Sequence, residues 1–98
     1  MFENKKIFIL GMARSGYESA KVLANHGCDV LVTDMKEQKE EHVKELESLG
    51  VTIEITDDPV SLLDDSFDYV VKNPGVKLDH PICRKALGLG IEIVSEVD

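Results

Sequence analysis

The chain has 98 residues, with 11 lysines and arginines against 19 aspartates and glutamates, for a net charge of −8. That balance argues against a general nucleic-acid or anionic-membrane surface. The longest apolar runs are four or five residues, far short of the ~20 needed to span a bilayer. A chain of this mass buries roughly 65% of its extended surface, enough for one core without metal or disulfide staples. The hydrophobic fraction of 43% and mean hydropathy of −0.09 are ordinary for a globular domain. Cys28 and Cys83 form neither a CxxC nor a metal-ligand pattern, and the start lacks a signal-peptide layout. Together these features predict a reduced, cytoplasmic protein with two inert thiols.

Strand and helix signals alternate along the chain. Lys6-Ile7-Phe8-Ile9-Leu10 is a continuous apolar run suited to a strand buried on both faces, and it stops at Gly11. Residues 15–26 carry a helical pattern in which Ala13, Gly16, Ala20, Leu23 and Gly27 share one face. The second strand is Asp29 to Thr33, ending at Asp34. Residues 37–49 read as a second helix with a narrow stripe of Val43, Leu46 and Leu49, closed by Gly50. Val51 to Ile55 alternates with period two, as an edge strand does. Asp58-Pro59 is an N-cap followed by proline at the first helical position, and predicts a short helix through Leu63. The fourth strand is Phe67 to Lys72. A last helix starts at Pro81 with Ile82, Cys83, Ala86, Leu87 and Leu89 facing inward, and Gly90 closes it before the strand Ile91 to Val94.

Five strands with intervening helices predict an α/β fold, a Rossmann-like doubly wound five-stranded parallel sheet of order 3-2-1-4-5. Ser95-Glu96-Val97-Asp98 has the pattern of a helix start, which predicts that residues 1–98 are the N-terminal domain of a longer protein. In such folds the ligand lies beyond the carboxyl ends of the strands, where strand order reverses. Here that crevice falls between strands one and four.

Three segments border it. Gly11-Met12-Ala13-Arg14-Ser15-Gly16 is a glycine-rich strand-to-helix turn with alanine in the second glycine position. Its chemistry is a tight turn, close backbone approach, and N–H groups at the positive end of a helix, all suited to a phosphate. The same loop matches a P-loop only in part, because Tyr17-Glu18 stands where Lys-Ser/Thr is required; a nucleoside triphosphate site is rejected. Asp34 follows Gly16 by 18 residues, near the spacing at which dinucleotide folds place an acid on a ribose hydroxyl. Asn73-Pro74-Gly75-Val76 reads as a type II turn, with Gly75 offering its N–H across the crevice and Lys72 and Lys77 flanking it. His26, His42 and His80 are scattered, and surface or capping roles fit them better than metal binding or catalysis. Asp57-Asp58 is read as capping rather than as a phosphoacceptor, because the first strand ends in a glycine loop and not in acids.

The ordered set Ile9 to Gly16, Val32-Thr33-Asp34, Val71 to Val76 and Ile93 to Val97 resembles the N-terminal domain of the Mur ligases of peptidoglycan synthesis, and among them the D-glutamate-adding members. The resemblance covers essentially the whole chain. It implies a domain that holds the UDP end of UDP-N-acetylmuramoyl-L-alanine. By motif, the N–H groups of Arg14 and Ser15 and the Ser15 hydroxyl would bind the diphosphate within the frame of Gly11, Ala13 and Gly16. Asn73 and Gly75 would approach from the other side. Asp34 would accept from the uracil N–H, with Lys36 and Met35, which has no hydroxyl, beside the ring and ribose. The resemblance places ATP and magnesium in a separate central domain and D-glutamate largely in a C-terminal one, joined in cis in a three-domain, monomeric enzyme. There ATP phosphorylates the alanyl carboxylate and the D-glutamate amine displaces phosphate to form an amide. This domain itself would have no catalytic residue, metal or cofactor, and would bind rather than catalyse.

An alternative is a NAD(P)- or FAD-binding Rossmann domain of an oxidoreductase or transport regulator. It shares the glycine loop and Asp34 but leaves Lys72-Asn73-Pro74-Gly75 unexplained. A second alternative is an α/β interaction module without a ligand. The charge is unevenly spread: residues 37–68 hold 11 acidic and 2 basic residues, and the rest hold 8 and 9. The acidity therefore lies away from the crevice, whose loops carry Arg14, Lys36, Lys72 and Lys77 against Asp34.

Overall fold

The structure, a computed structural model, describes residues 4–95, with Arg14 described in its backbone alone. The elements follow as β1 (Lys6–Leu10), α1 (Arg14–Asn25), β2 (Asp29–Asp34), α2 (Glu40–Ser48), β3 (Thr52–Ile55), a 3-10 helix (Pro59–Leu62), β4 (Tyr69–Lys72), α3 (Pro81–Leu89) and β5 (Glu92–Ser95). The strands form one sheet in the order β3-β2-β1-β4-β5, parallel at every pairing. The expected fold class and strand order are both found.

The alternation of side chains along β1 creates two cores. Ile7 and Ile9 pack with Met12, Ala20, Val30, Val32, Leu46, Val51 and Val71 on the side of α1 and α2. Phe8 faces the other way, with Leu63, Phe67, Val70, Ile82, Ala86 and Ile91 on the side of α3 and the 3-10 helix. A one-residue slip of β1 would exchange the two sets, so its register is fixed from both faces at once. Phe8 meets Phe67 edge to face at 5.3 Å between ring centroids, and the Lys6 ammonium lies 4.4 Å from the Phe67 ring centre.

The structure also corrects several boundaries. Helix α2 opens at Glu40 rather than Glu37, because the Gln38 amide donates to the Lys36 carbonyl and Lys39 is extended. Strand β4 starts at Tyr69 rather than Phe67: Phe67 turns into the core, while Asp68 brackets Lys6, accepting its N–H and donating to its carbonyl. The helix after Asp58 is 3-10, and the expected Asp58 cap is not made. Instead the Asp58 N–H donates to Thr56 Oγ1 at 3.0 Å, a local turn that competes with capping.

In α3, Ile82, Cys83 and Ala86 are buried as expected, but Leu87 is 61% exposed and Leu89 38%. Successive helical residues step by about 100° around the axis, which sets Leu87 about 100° from Ala86 and about 140° from Ile82, at the edge of the buried face. Ala13 and Leu49 are exposed at the ends of their expected stripes. Ser95 closes β5, level with Lys72; the helix start expected at Ser95-Glu96-Val97-Asp98 falls on Glu96 to Asp98, which lie outside the described residues. The C-terminal glycine of α3 behaves as expected: Gly90 has φ 76°, and the Ile91 N–H returns to the Ala86 carbonyl at 2.8 Å. Among the described residues, no helix is long and apolar enough to cross a membrane.

Candidate functional site

The sheet order sets β1 between β2 and β4, with Leu10 level with Thr33 on one side and Lys72 on the other. The three segments picked from the sequence therefore leave adjacent strands at one edge: Gly11–Gly16 after β1, Asp34–Lys36 at the end of β2, and Asn73–Lys77 after β4. The acidic 37–68 stretch forms α2, the edge strand β3, the 3-10 helix and the run leading into β4, so its charge is divided between the β3 edge and the α3-side face.

Gly11 leaves β1 at φ +95°, a region that L side chains rarely adopt, while its N–H still bonds the Thr33 carbonyl at 2.8 Å. The chain then reverses through Met12, whose side chain is buried in the α1-side core. Ala13 is the N-cap of α1, extended at φ −62° and ψ 175°, and makes no side-chain cap bond. Its carbonyl accepts from the Tyr17 N–H at 2.9 Å. The first turn contains Arg14, Ser15 and Gly16 and no acidic residue. Nothing anionic in that turn opposes the partial positive charge of the helix end.

Asp34 has a role that its spacing did not reveal. Its Oδ2 accepts from the Met12 N–H at 2.8 Å and its Oδ1 from the Lys36 N–H at 3.0 Å. One carboxylate thus ties the glycine loop to the turn after β2. A carboxylate has about four acceptor sites, so these two bonds leave capacity for a ligand donor. Met35, between Asp34 and Lys36, is 70% exposed and presents apolar surface at the mouth of the site.

The turn after β4 forms, with the Val76 N–H returning to the Asn73 carbonyl at 2.9 Å, but it is not type II. Gly75 does not take the positive φ that a type II turn requires at that position. The reason is the Asn73 side chain, whose Oδ1 accepts from the Gly75 N–H at 2.8 Å. The Gly75 N–H is consequently engaged. A Cβ at Gly75 would lie 3.2 Å from that same oxygen, tight enough to disturb the clasp.

Lys72 is the residue the sequence reading undervalued. It is the last residue of β4 and only 7% exposed. The available signal was a lysine ending an otherwise apolar strand that pairs on both sides. The histidines take the capping and surface roles expected: His80 Nδ1 caps α3 by accepting from the Ile82 N–H at 3.1 Å, and His42 stacks on Tyr17.

The residues do not fit a nucleoside triphosphate and its magnesium. The loop has Tyr17-Glu18 in place of the lysine and hydroxyl. Among the described residues, no group of three or more His, Cys, Asp or Glu side chains could hold a metal ion.

A parallel α/β sheet with a glycine loop, a strand-end aspartate and a second turn across the switch point defines a Rossmann-like domain. The sequence profile of the family described as Mur ligase MurD-like, N-terminal domain, matches residues 5–95, and the chain belongs to that family. UDP-N-acetylmuramoylalanine–D-glutamate ligase of Enterococcus hirae is 42% identical over 97 residues, covering 98% of this chain and 21% of that protein. The chain thus spans about a fifth of the length of the curated relatives it matches. Among solved structures, a murein peptide ligase from Psychrobacter arcticus superposes with a TM-score of 0.79 at 24% identity, over 93% of this chain and 19% of that one. D-lactate dehydrogenase from Escherichia coli superposes with a TM-score of 0.66 at 17% identity, over 96% of this chain and 29% of that one. At these identities the superpositions establish the shared architecture.

Proposed function

We propose that this chain binds the UDP moiety of UDP-N-acetylmuramoyl-L-alanine, as the N-terminal domain of a three-domain ligase that adds D-glutamate in peptidoglycan synthesis. The observation that carries the reading is the convergence of three loops at the switch point of a chain that belongs to the MurD-like N-terminal domain family. The diphosphate would lie on the first turn of α1, against the Arg14 and Ser15 N–H groups and the Ser15 hydroxyl. Gly11, Ala13 and Gly16 would keep the backbone close. Asp34 would accept from the uracil N–H with the lone pairs left by Met12 and Lys36, and Met35 and Lys36 would flank the ring and ribose. With Oδ1 of Asn73 committed to Gly75, the Asn73 Nδ2 is the donor that turn offers to a phosphate oxygen.

In the reaction of the whole ligase, ATP and magnesium would activate the alanyl carboxylate in another domain, joined to this one in cis. This domain would anchor the nucleotide end so that the carboxylate is presented there. It would supply binding and orientation and no proton or nucleophile. The dinucleotide-binding alternative rests on the fold shared with dehydrogenases and accounts for nothing in the Asn73–Val76 turn.

Titration of the amide spectrum distinguishes them. UDP is expected to shift the resonances of Met12 to Ser15, Asp34 to Lys36, Asn73 and Gly75, while NAD leaves them in place. Equal or larger shifts with NAD at the same amides would overturn the ligase reading.

A further inference from the structure

Lys72 is more than nine-tenths buried, yet its ammonium has no hydrogen-bond or salt-bridge partner among the described residues. The ammonium is not among the side-chain atoms sealed from water without a partner, so the lysine carries its charge from a buried stem to the surface, where an anion can reach it. The other described lysines that make side-chain bonds or ion pairs (Lys6, Lys21, Lys44 and Lys85) do so with oxygens of this chain. Lys72 thus has a buried stem and an ammonium that meets no counterpart among the described residues.

Its place in the fold indicates what is missing. Lys72 is level with Leu10, one residue before Gly11, and Asn73 follows it into the turn across the crevice. Val71 belongs to the core on the α1 side and Val70 to the core on the α3 side. The alternation of a strand therefore puts the Lys72 side chain on the α3 side. Its charge is felt there by Cys83, in the first turn of α3, where it partly offsets the rise in the thiol pKa that burial causes. Asp79, which acts on the same thiol in the opposite sense, is exposed and makes no ion pair with Lys72 among the described residues. The first turn of α1 approaches the crevice from one side of the sheet edge and Lys72 stands on the other.

We propose that Lys72 is the cation that receives the anionic group of the crevice ligand, so that a phosphate is held between the first turn of α1 and the Lys72 ammonium. For the function proposed above, on which this inference rests, that group is the diphosphate of UDP. Burial of the lysine stem fixes the ammonium with little freedom left to lose, which favours it over exposed Lys36 and Lys77 as the ligand's partner.

The test compares UDP, uridine and inorganic pyrophosphate binding to this chain and to Lys72→Met and Lys72→Arg, by amide titration at fixed low salt. Methionine keeps the buried apolar stem and removes only the charge; a dispersed amide spectrum verifies that each variant is folded. Loss of a charge-assisted bond predicts that Lys72→Met binds UDP about tenfold more weakly, with uridine unchanged and most of the UDP affinity kept in Lys72→Arg. In the unmodified chain, pyrophosphate is expected to move the Lys72 Cε and Nζ resonances, a readout that needs no variant. An unchanged UDP-to-uridine ratio in Lys72→Met, with silent Lys72 resonances, would overturn the proposal while leaving the UDP reading intact. Pyrophosphate binding that depends on Lys72, without UDP binding, would uphold the anion site and remove UDP as its ligand. Binding of none of the three removes both.

Discussion

At the scale of single residues, Asp34 is where structure and binding meet. Its spacing from Gly16 marked it as a ligand residue, and nothing in that spacing showed that it also secures the loop that would hold the phosphate. The Met12 N–H it accepts is half-buried and has its acceptor 22 positions away in sequence. Replacing Asp34 by alanine is expected to destabilise the chain by about 1–3 kcal/mol, because a donor shielded from water loses its acceptor. Urea unfolding measures the loss, and hydrogen exchange at Met12 should quicken with it. Asp34→Asn retains one acceptor oxygen and should lose less. Asn73 gives the complementary lesson. Proline followed by glycine suggested a type II turn, but the asparagine in front supplies an acceptor for the glycine N–H and selects a different geometry. The dipeptide was legible; the competition from its neighbour was not.

At the scale of elements, strands and helices were readable because each has a strong period and a stop. Their ends were not, because ends are decided by single hydrogen bonds, several of them from side chains two residues away. Helix α3 shows both sides. His80-Pro81 starts it and Gly90 ends it, as proline at the first position and glycine past the last require. The cap itself is the His80 ring nitrogen, which contributes an acceptor to the Ile82 N–H. His80→Ala should cost about 1 kcal/mol in thermal or urea unfolding, and His80→Asp should recover it, since aspartate is a good cap. A His80→Ala chain as stable as the original would show that the ring makes no net contribution. The misreading of Leu87 and Leu89 has a simple origin. A hydrophobic residue in a helix is counted inward by pattern, while a nine-residue helix on a sheet edge has room for only one narrow buried face.

At the scale of the whole molecule, two cores on opposite faces of one sheet make the two cysteines unequal. Cys83 is fully buried, and burial pushes its thiol above the usual range, with Asp79 adding to the rise and Lys72 opposing it. Cys28 is half-buried at the end of α1. A thiol reagent at neutral pH should label Cys28 in the folded chain and Cys83 only as the chain unfolds, because thiolate and access are both required. Equal labelling rates in the folded state would contradict the description of the α3-side core. The sequence alone determined the fold class, the strand order, the family and the three segments that border the crevice. Those depend on local periodicity, on glycine and proline, and on chirality rules that leave few topologies open. Only the tertiary structure decided that Asp34 holds Met12, that Asn73 occupies the Gly75 N–H, and that the Lys72 stem is buried with no counter-charge among the described residues. The first and last are set by how residues on different strands come together, which the spacing along one chain does not contain; the Asn73 clasp is local and is set by a side chain competing with the backbone.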